Sequence, residues 1–385
     1  MLWIFLRCTP SELAIWVAER PAATHRRAAE DATRRPSVDA DALAFHRECL
    51  VLDLHIDTLL WVRLFGYDLV PAHRNRVPRS PFAWHFDLER AALGGLKACV
   101  FGLVINPRRV LPELLFPLKF LAWWERGERG SGLPQTLDTM QLLCRAAAAH
   151  PDRLAFCRSG SEVRRAAAEG RFAALAALEG AQGVEGSLAH VRTAYAHGLR
   201  MLGLVHFQTT EAAYPMTLGA FDDTGLTPFG LELLSELERL GMVVDLAHLN
   251  PRGIDDALRA MKRPFVVSHT GCRTLVDHPR NLDDLRIRQI ADKGGVVGVA
   301  FGNTFVGGDL SCFLDHVEHV IQVGGADAIA LGSDFDGMIT PVKGMEDVTV
   351  YPRITQGLLA RGHPRGIVQK VLGENALRVI SEVCG

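Results

Sequence analysis

The stretch Leu50-Val-Leu-Asp-Leu-His-Ile-Asp57 decides how the rest of the chain is read. It is an apolar run that ends in two side chains able to bind a metal, His55 and Asp57, with one residue between them. In a β-strand, residues i and i+2 project to the same side, so the imidazole and the carboxylate can converge on one ion. His-x-Asp is common by chance. The reading gains force only if later strands end in further ligands.

They do. From residue 160 onward the chain repeats one pattern, a helix followed by a short apolar strand. Helices are expected at 161–169, 187–197, 228–240, 251–261, 282–293 and 311–323. The strands that follow are expected at 173–178, 201–205, 241–246, 264–267, 295–300 and 328–331. Continuous apolar strands are what a parallel sheet buried on both faces requires. With the runs at 50–54 and 96–103 there are eight. That predicts an α/β protein, a closed (β/α)8 TIM-type barrel with an N-terminal helical extension and insertions. An open doubly wound sheet fits less well, because no strand is followed by a Gly-x-Gly-x-x-Gly turn.

In such a barrel the C-terminal strand ends surround one mouth, where active sites sit. The residues at those ends are His55, Asp57, Glu179, His206, His248, His269 and Asp334. One histidine at a strand end is more often structural than functional, but seven such side chains on six strands point to a site. Imidazole and carboxylate donors suit zinc or a similar divalent ion. The set is larger than one catalytic zinc needs. It suits two ions sharing a bridging carboxylate, which would acidify a water to hydroxide near neutral pH.

The remaining composition sets bounds. The chain has 385 residues, 48% hydrophobic and 22% charged, enough for a large core. A formal net charge of −2 argues against nucleic acid or an anionic membrane as partner. Eight cysteines with no Cys-x-x-Cys pair exclude a zinc ribbon or redox motif and read as buried thiols. The apolar start Met1-Leu-Trp-Ile-Phe-Leu6 is too short to span a bilayer, and residues 1–48 read as a helical extension preceding a barrel over 49–385. Residues 58–84 read as a loop bordering the site, and 110–150 as helical. His25, His46, His190, His197, His278, His316 and His319 read as surface or structural groups.

Several segments together resemble the membrane (renal) dipeptidase family, peptidase family M19 of the amidohydrolase superfamily. They are His55-Ile-Asp57, Leu178-Glu-Gly180, Gly225-Leu-Thr-Pro-Phe-Gly230, Val244-Asp-Leu-Ala-His248, Val267-Ser-His269, Arg280-Asn281, Gly332-Ser-Asp-Phe-Asp-Gly337 and Gly373-Glu-Asn-Ala-Leu-Arg378. The resemblance implies a zinc dipeptidase, of a family that often accepts a C-terminal D-residue, that hydrolyses dipeptides through a hydroxide bridging two metals. It implies that His55 and Asp57 bind the first Zn2+, that Glu179 bridges, and that His248 and His269 bind the second. Asp334 would be the general base and acid, with Asp336 the less favoured choice. His206 would polarise the scissile carbonyl, and Arg280 would grip the substrate carboxylate where a surface salt bridge is the bland alternative.

The departures lie in the substrate pocket: Ile56, Thr58-Leu59 and Phe207 replace residues usual in the family. They leave open a related binuclear hydrolase acting on a lactone, an N-acyl amino acid or a β-lactam. A non-catalytic scaffold is the third reading, disfavoured by the full ligand set. The resemblance also points to a homodimer, though no interface is legible. The chain is expected to be cytoplasmic, like soluble bacterial members, with export left open.

Overall fold

The computed structural model describes residues 37–73, 79–81, 84–105, 132–216 and 223–385. Among these residues nine parallel strands run β1 (Leu52–Ile56), β2 (Ala98–Val104), β3 (Leu154–Phe156), β4 (Phe172–Glu179), β5 (Met201–Gly203), β6 (Val243–Asp245), β7 (Val266–Thr270), β8 (Val296–Val299) and β9 (Ile329–Leu331). Eight of them close a ring, β1-β2-β4-β5-β6-β7-β8-β9, because β2 pairs with both β1 and β4, and β9 with both β8 and β1. The expected (β/α)8 barrel is the fold. The ninth strand, β3, was not expected; it lies beside the N-terminal half of β4, pairing Leu154 with Phe172.

Alternation along the strands separates two apolar sets. Leu52, Leu54, Val100, Leu175, Ala177, Met201, Val243, Val266, Val296 and Ala330 pack together in the barrel interior. Cys99, Phe101, Ala174, Leu178, Leu202, Val244, Val297 and Leu331 instead pack against the helical layer. The interior is closed below by the helix Asn375–Cys384, whose Leu377, Ile380 and Val383 join the inner set. That helix is tied to residues at the starts of strands. Asn375 Nδ2 donates to Ile329 O at 2.8 Å, and Arg378 Nη1 donates to Gly294 O at 2.9 Å. The N-terminal mouth is therefore plugged, and the opposite mouth is left for chemistry.

Helix bounds follow local chemistry. Pro228–Leu240 opens on Thr227, whose hydroxyl accepts from Gly230 N at 3.0 Å with Pro228 in the first turn, and ends on Gly241 at φ 72°. Asn250 and Pro251 do the same for Pro251–Ala260.

Two expectations need correction, and a third is met where the structure describes it. Residues 58–84 are not simply a loop: Thr58–Phe65 is a helix that opens directly after Asp57, with Thr58, Leu59, Leu60 and Trp61 buried. His46 is not a surface group. It is buried in the helix Ala40–Glu48, with Nδ1 2.7 Å from Thr355 Oγ1 and Nε2 2.9 Å from Gly94 O. Of the helical expectation at 110–150, Gly132–Ala149 is a helix; 106–131, like residues 1–36 and His25, lie outside the described residues.

Candidate metal centre

Glu179, the last residue of β4, is the hub. Its Oε1 lies 3.1 Å from His248 Nε2, 3.4 Å from His55 Nε2, 3.5 Å from His206 Nε2 and 3.8 Å from His269 Nε2. Asp57 Oδ1 is 3.2 Å from His55 Nε2. His248 Nε2 and His269 Nε2 are 2.8 Å apart. Three sets of side chains bring ligand atoms within 4.8 Å of one another: His55, Asp57 and Glu179; Glu179, His206 and His248; His55, His269 and Asp334. All seven residues from the strand ends thus meet at one mouth.

Two strands reach the cluster by the same device. Between Asp53 and Ile56, β1 spends three steps where β2 spends two, Cys99 to Phe101. Between Val267 and Thr270, β7 does the same against β8. Each is a one-residue bulge, which re-aims the side chains beyond it. In both, a buried aspartate accepts an N–H near the bulge. Asp53 Oδ1 takes His55 N and Ser333 N, each at 2.9 Å. Asp245 Oδ1 takes Ser268 N at 2.9 Å and Ala247 N at 3.0 Å. Asp53 also accepts from the Tyr351 hydroxyl.

The loop after β9 is locked to β1. Asp334 N donates to His55 O at 3.0 Å, and Asp57 N to Phe335 O at 2.8 Å. His248, Asp334 and Asp336 all have positive φ, 61–65°, a strained conformation for non-glycine residues that tends to gather at functional sites. Asp336 is turned away from the mouth: it accepts from Thr58 Oγ1 at 2.6 Å and from His85 N at 2.7 Å. Its place as an alternative acid is lost to that buried network.

Electrostatics set the cluster apart. Burial pushes the Glu179 carboxyl up, but His206 and His55 outweigh it and hold it well below the usual carboxylate range. Burial, then the negative charges of Asp57 and Glu179, raise Asp334 well above its ordinary value. Burial lowers His248 and His269 strongly, so both sit as neutral imidazoles with a lone pair to give.

The residues fit a divalent cation. His55 Nδ1 and Nε2, Asp57 Oδ1 and Glu179 Oε2 are buried and have no hydrogen-bond partner among the described residues. Each such group costs about 1–3 kcal/mol if left unsatisfied. A cation bound by nitrogen and oxygen donors is the economical remedy. Room for it is made by two glycines. A Cβ at Gly102 would strike Asp57 Oδ1 and approach His55, and one at Gly337 would meet Asp334 and Asp57.

Around the rim, Arg280 is half-buried, with Nη2 3.4 Å from His269 O and its guanidinium 5.7 Å from the Phe305 ring centroid. Among the described residues no carboxylate lies within ion-pair distance of it. Phe207 stands exposed, its ring 4.0 Å from that of His206 and edge-on to His248 at 5.1 Å. Sequence reading did not assign Asp53, Asp245, Ser268, Gly102 or Gly337 to the site. Asp53 was findable, since it is two residues before His55. The glycines were not, because what they avoid comes from other parts of the chain.

A barrel with histidines and carboxylates converging at its C-terminal mouth defines a metal-dependent hydrolase of the amidohydrolase type. Residues 40–384 match the family model for membrane dipeptidase, peptidase family M19, and the chain belongs to that family. It is a metallo-dipeptidase that uses a divalent metal. Among solved structures it is similar to the family M19 metallopeptidase described as dipeptidase AC, with 27% identity, TM-score 0.75, and 88% of this chain and 99% of that one covered. A metallopeptidase from Rhodobacter sphaeroides, liganded with a phosphinate mimic of the dipeptide L-Ala-D-Ala, is similar at 26% identity and TM-score 0.75, covering 87% and 99%. The probable dipeptidase PvdM from Pseudomonas aeruginosa shares the fold at 21% identity and TM-score 0.75, covering 89% and 97%. Among the described residues no helix is long and apolar enough to cross a membrane.

Proposed function

We propose that the site holds two zinc ions and cleaves the peptide bond of dipeptides, with a C-terminal D-residue among those accepted. The observation that carries this reading is the single Glu179 carboxylate with four imidazole nitrogens within 3.8 Å of one of its oxygens. In this reading His55, Asp57 and Glu179 hold one ion, and Glu179, His248 and His269 hold the other. When bound, such a pair supplies an acidified water and polarises the scissile carbonyl.

The chain's own residues do the rest. Asp334, buried beside Asp57 and His55, takes a proton from the attacking water and returns it to the leaving amine. His206 flanks Glu179 at the mouth, where its Nε2 steadies the developing oxyanion. Arg280, charged and with no carboxylate at ion-pair distance among the described residues, pairs with the free carboxylate that every dipeptide carries. The R. sphaeroides relative, whose ligand imitates L-Ala-D-Ala, supports the choice of substrate class.

The test is elemental analysis of the purified protein together with a panel of L,L and L,D dipeptides. Two equivalents of zinc and release of both amino acids are expected. Two equivalents of metal with no turnover on any dipeptide would sink the substrate assignment. The same panel extended to amino-acid lactones and N-acyl amino acids separates a related hydrolase from a dipeptidase.

A further inference from the structure

We infer that Asp245 is a positioning residue for the metal centre, acting through Ser268 to fix which nitrogen of His269 carries the proton. The inference rests on the reading that His269 is a metal ligand. His269 needs a bare Nε2 for that task, since Nε2 is the atom that faces His248 and Glu179. A neutral imidazole carries its single proton on one nitrogen or the other, and the partner of Nδ1 decides which.

That partner is Ser268 Oγ, 2.9 Å from His269 Nδ1. A hydroxyl has one proton to give. Ser268 gives it to Asp245 Oδ2, at 2.5 Å. The other oxygen, Asp245 Oδ1, receives two backbone N–H groups, from Ser268 at 2.9 Å and Ala247 at 3.0 Å. Three donors converge on Asp245, so it is an acceptor at every contact. With its proton committed, the Ser268 hydroxyl accepts from His269 Nδ1–H. Nε2 is left as a lone pair aimed into the cluster. All three side chains are buried, so water is poorly placed to take over the chain. The bulge in β7 sets Ser268 and His269 at one point of the strand, which lets one side chain carry the signal to the next.

The geometry makes Asp245→Asn informative. The two backbone N–H groups force the amide oxygen into the place of Oδ1, so the NH2 group faces Ser268. Ser268 must then accept from it and turn its own proton toward His269 Nδ1. The imidazole proton moves to Nε2, where it blocks the metal. The experiment titrates metal-free protein with Zn2+ against a chromophoric chelator and resolves the two equivalents. In the wild type both bind. Asp245→Asn is expected to weaken one equivalent by about 100-fold and Ser268→Ala by about 10-fold, with the other equivalent unchanged. The double variant is expected to bind like Ser268→Ala, because without the hydroxyl nothing transmits the reversal. A merely structural role would weaken both equivalents, add in the double variant, and lower the unfolding midpoint of the metal-free protein. Either that pattern or wild-type affinity in Asp245→Asn overturns the inference. A wild type that binds fewer than two equivalents overturns the two-ion reading itself, and this inference with it.

Discussion

Arg280 and Gly102 show how much a single residue decides at this mouth. A half-buried guanidinium with no carboxylate partner among the described residues keeps its binding capacity for something that arrives from outside. Arg280→Ala should therefore lower kcat/KM for dipeptides by roughly 30- to 150-fold, the worth of about 2–3 kcal/mol for hydrogen bonds to a charged group. The loss should fall mainly on KM and shrink for substrates whose C-terminal carboxylate is amidated; an equal loss on both would remove Arg280 from carboxylate recognition. Gly102 acts by what it lacks. A methyl group there would occupy the place of Asp57 Oδ1 and press on His55. Gly102→Ala is expected to weaken zinc binding at the His55–Asp57 side by about 10- to 100-fold, judged by what disturbed ligand support usually costs. Zinc titration checks it, and unchanged affinity would mean the carboxylate has somewhere else to go.

At the scale of elements, the helix Asn375–Cys384 carries the barrel's lower closure, and its effect should be on stability alone. Leu377 is buried in the inner cluster at the mouth opposite the metal residues. Leu377→Ala should cost about 2–5 kcal/mol in urea unfolding and leave zinc stoichiometry untouched; a lost equivalent would show that the two mouths are coupled. The elements also explain which parts of the molecule the sequence made legible. Buried parallel strands are continuous apolar runs, so β4, β6 and β9 and the ligands at or just past their ends announce themselves locally. Helix ends with a Thr-Pro start and a Gly stop, as at Pro228–Leu240, are local chemistry too. What stayed hidden depends on partners distant in sequence. The three-residue β3 fully buries only Leu154, is too short to show a pattern, and earns its place by pairing with β4. The bulges in β1 and β7 exist only relative to β2 and β8. His46 looks like a surface histidine until Thr355 and Gly94, far along the chain, close around it.

For the molecule as a whole, three buried histidines away from the ligand set make folding sensitive to acid. Burial pulls His46 down to about 4, His85 to about 3 and His316 to about 4. The hydrogen bonds agree with neutral rings: His85 Nδ1 accepts from Asp336 N at 2.9 Å, and His316 Nδ1 accepts from Cys272 N at 2.9 Å. The unfolded chain protonates its imidazoles near pH 6.5, well before the folded one does. Below that point the unfolded state binds more protons, so stability is full above pH 6.5 and drains away as pH falls toward 4. Between pH 7.5 and pH 5 each ring accounts for a loss of about 2 kcal/mol. Asp336 works the other way, since burial lifts its carboxyl to about 7 and the folded state keeps that proton longer. The net loss is therefore smaller than the three rings alone would give. His316 isolates one contribution, because it lies on the helix Leu310–Gly324, outside the ligand cluster. In His316→Asn the amide oxygen can take the Cys272 N–H that Nδ1 takes now, while no proton can be added. Measured by urea unfolding, the gap in stability between wild type and His316→Asn should narrow by about 2 kcal/mol on going from pH 7.5 to pH 5. A gap that stays constant over that range would mean that His316 takes up its proton as readily in the folded protein as in the unfolded chain.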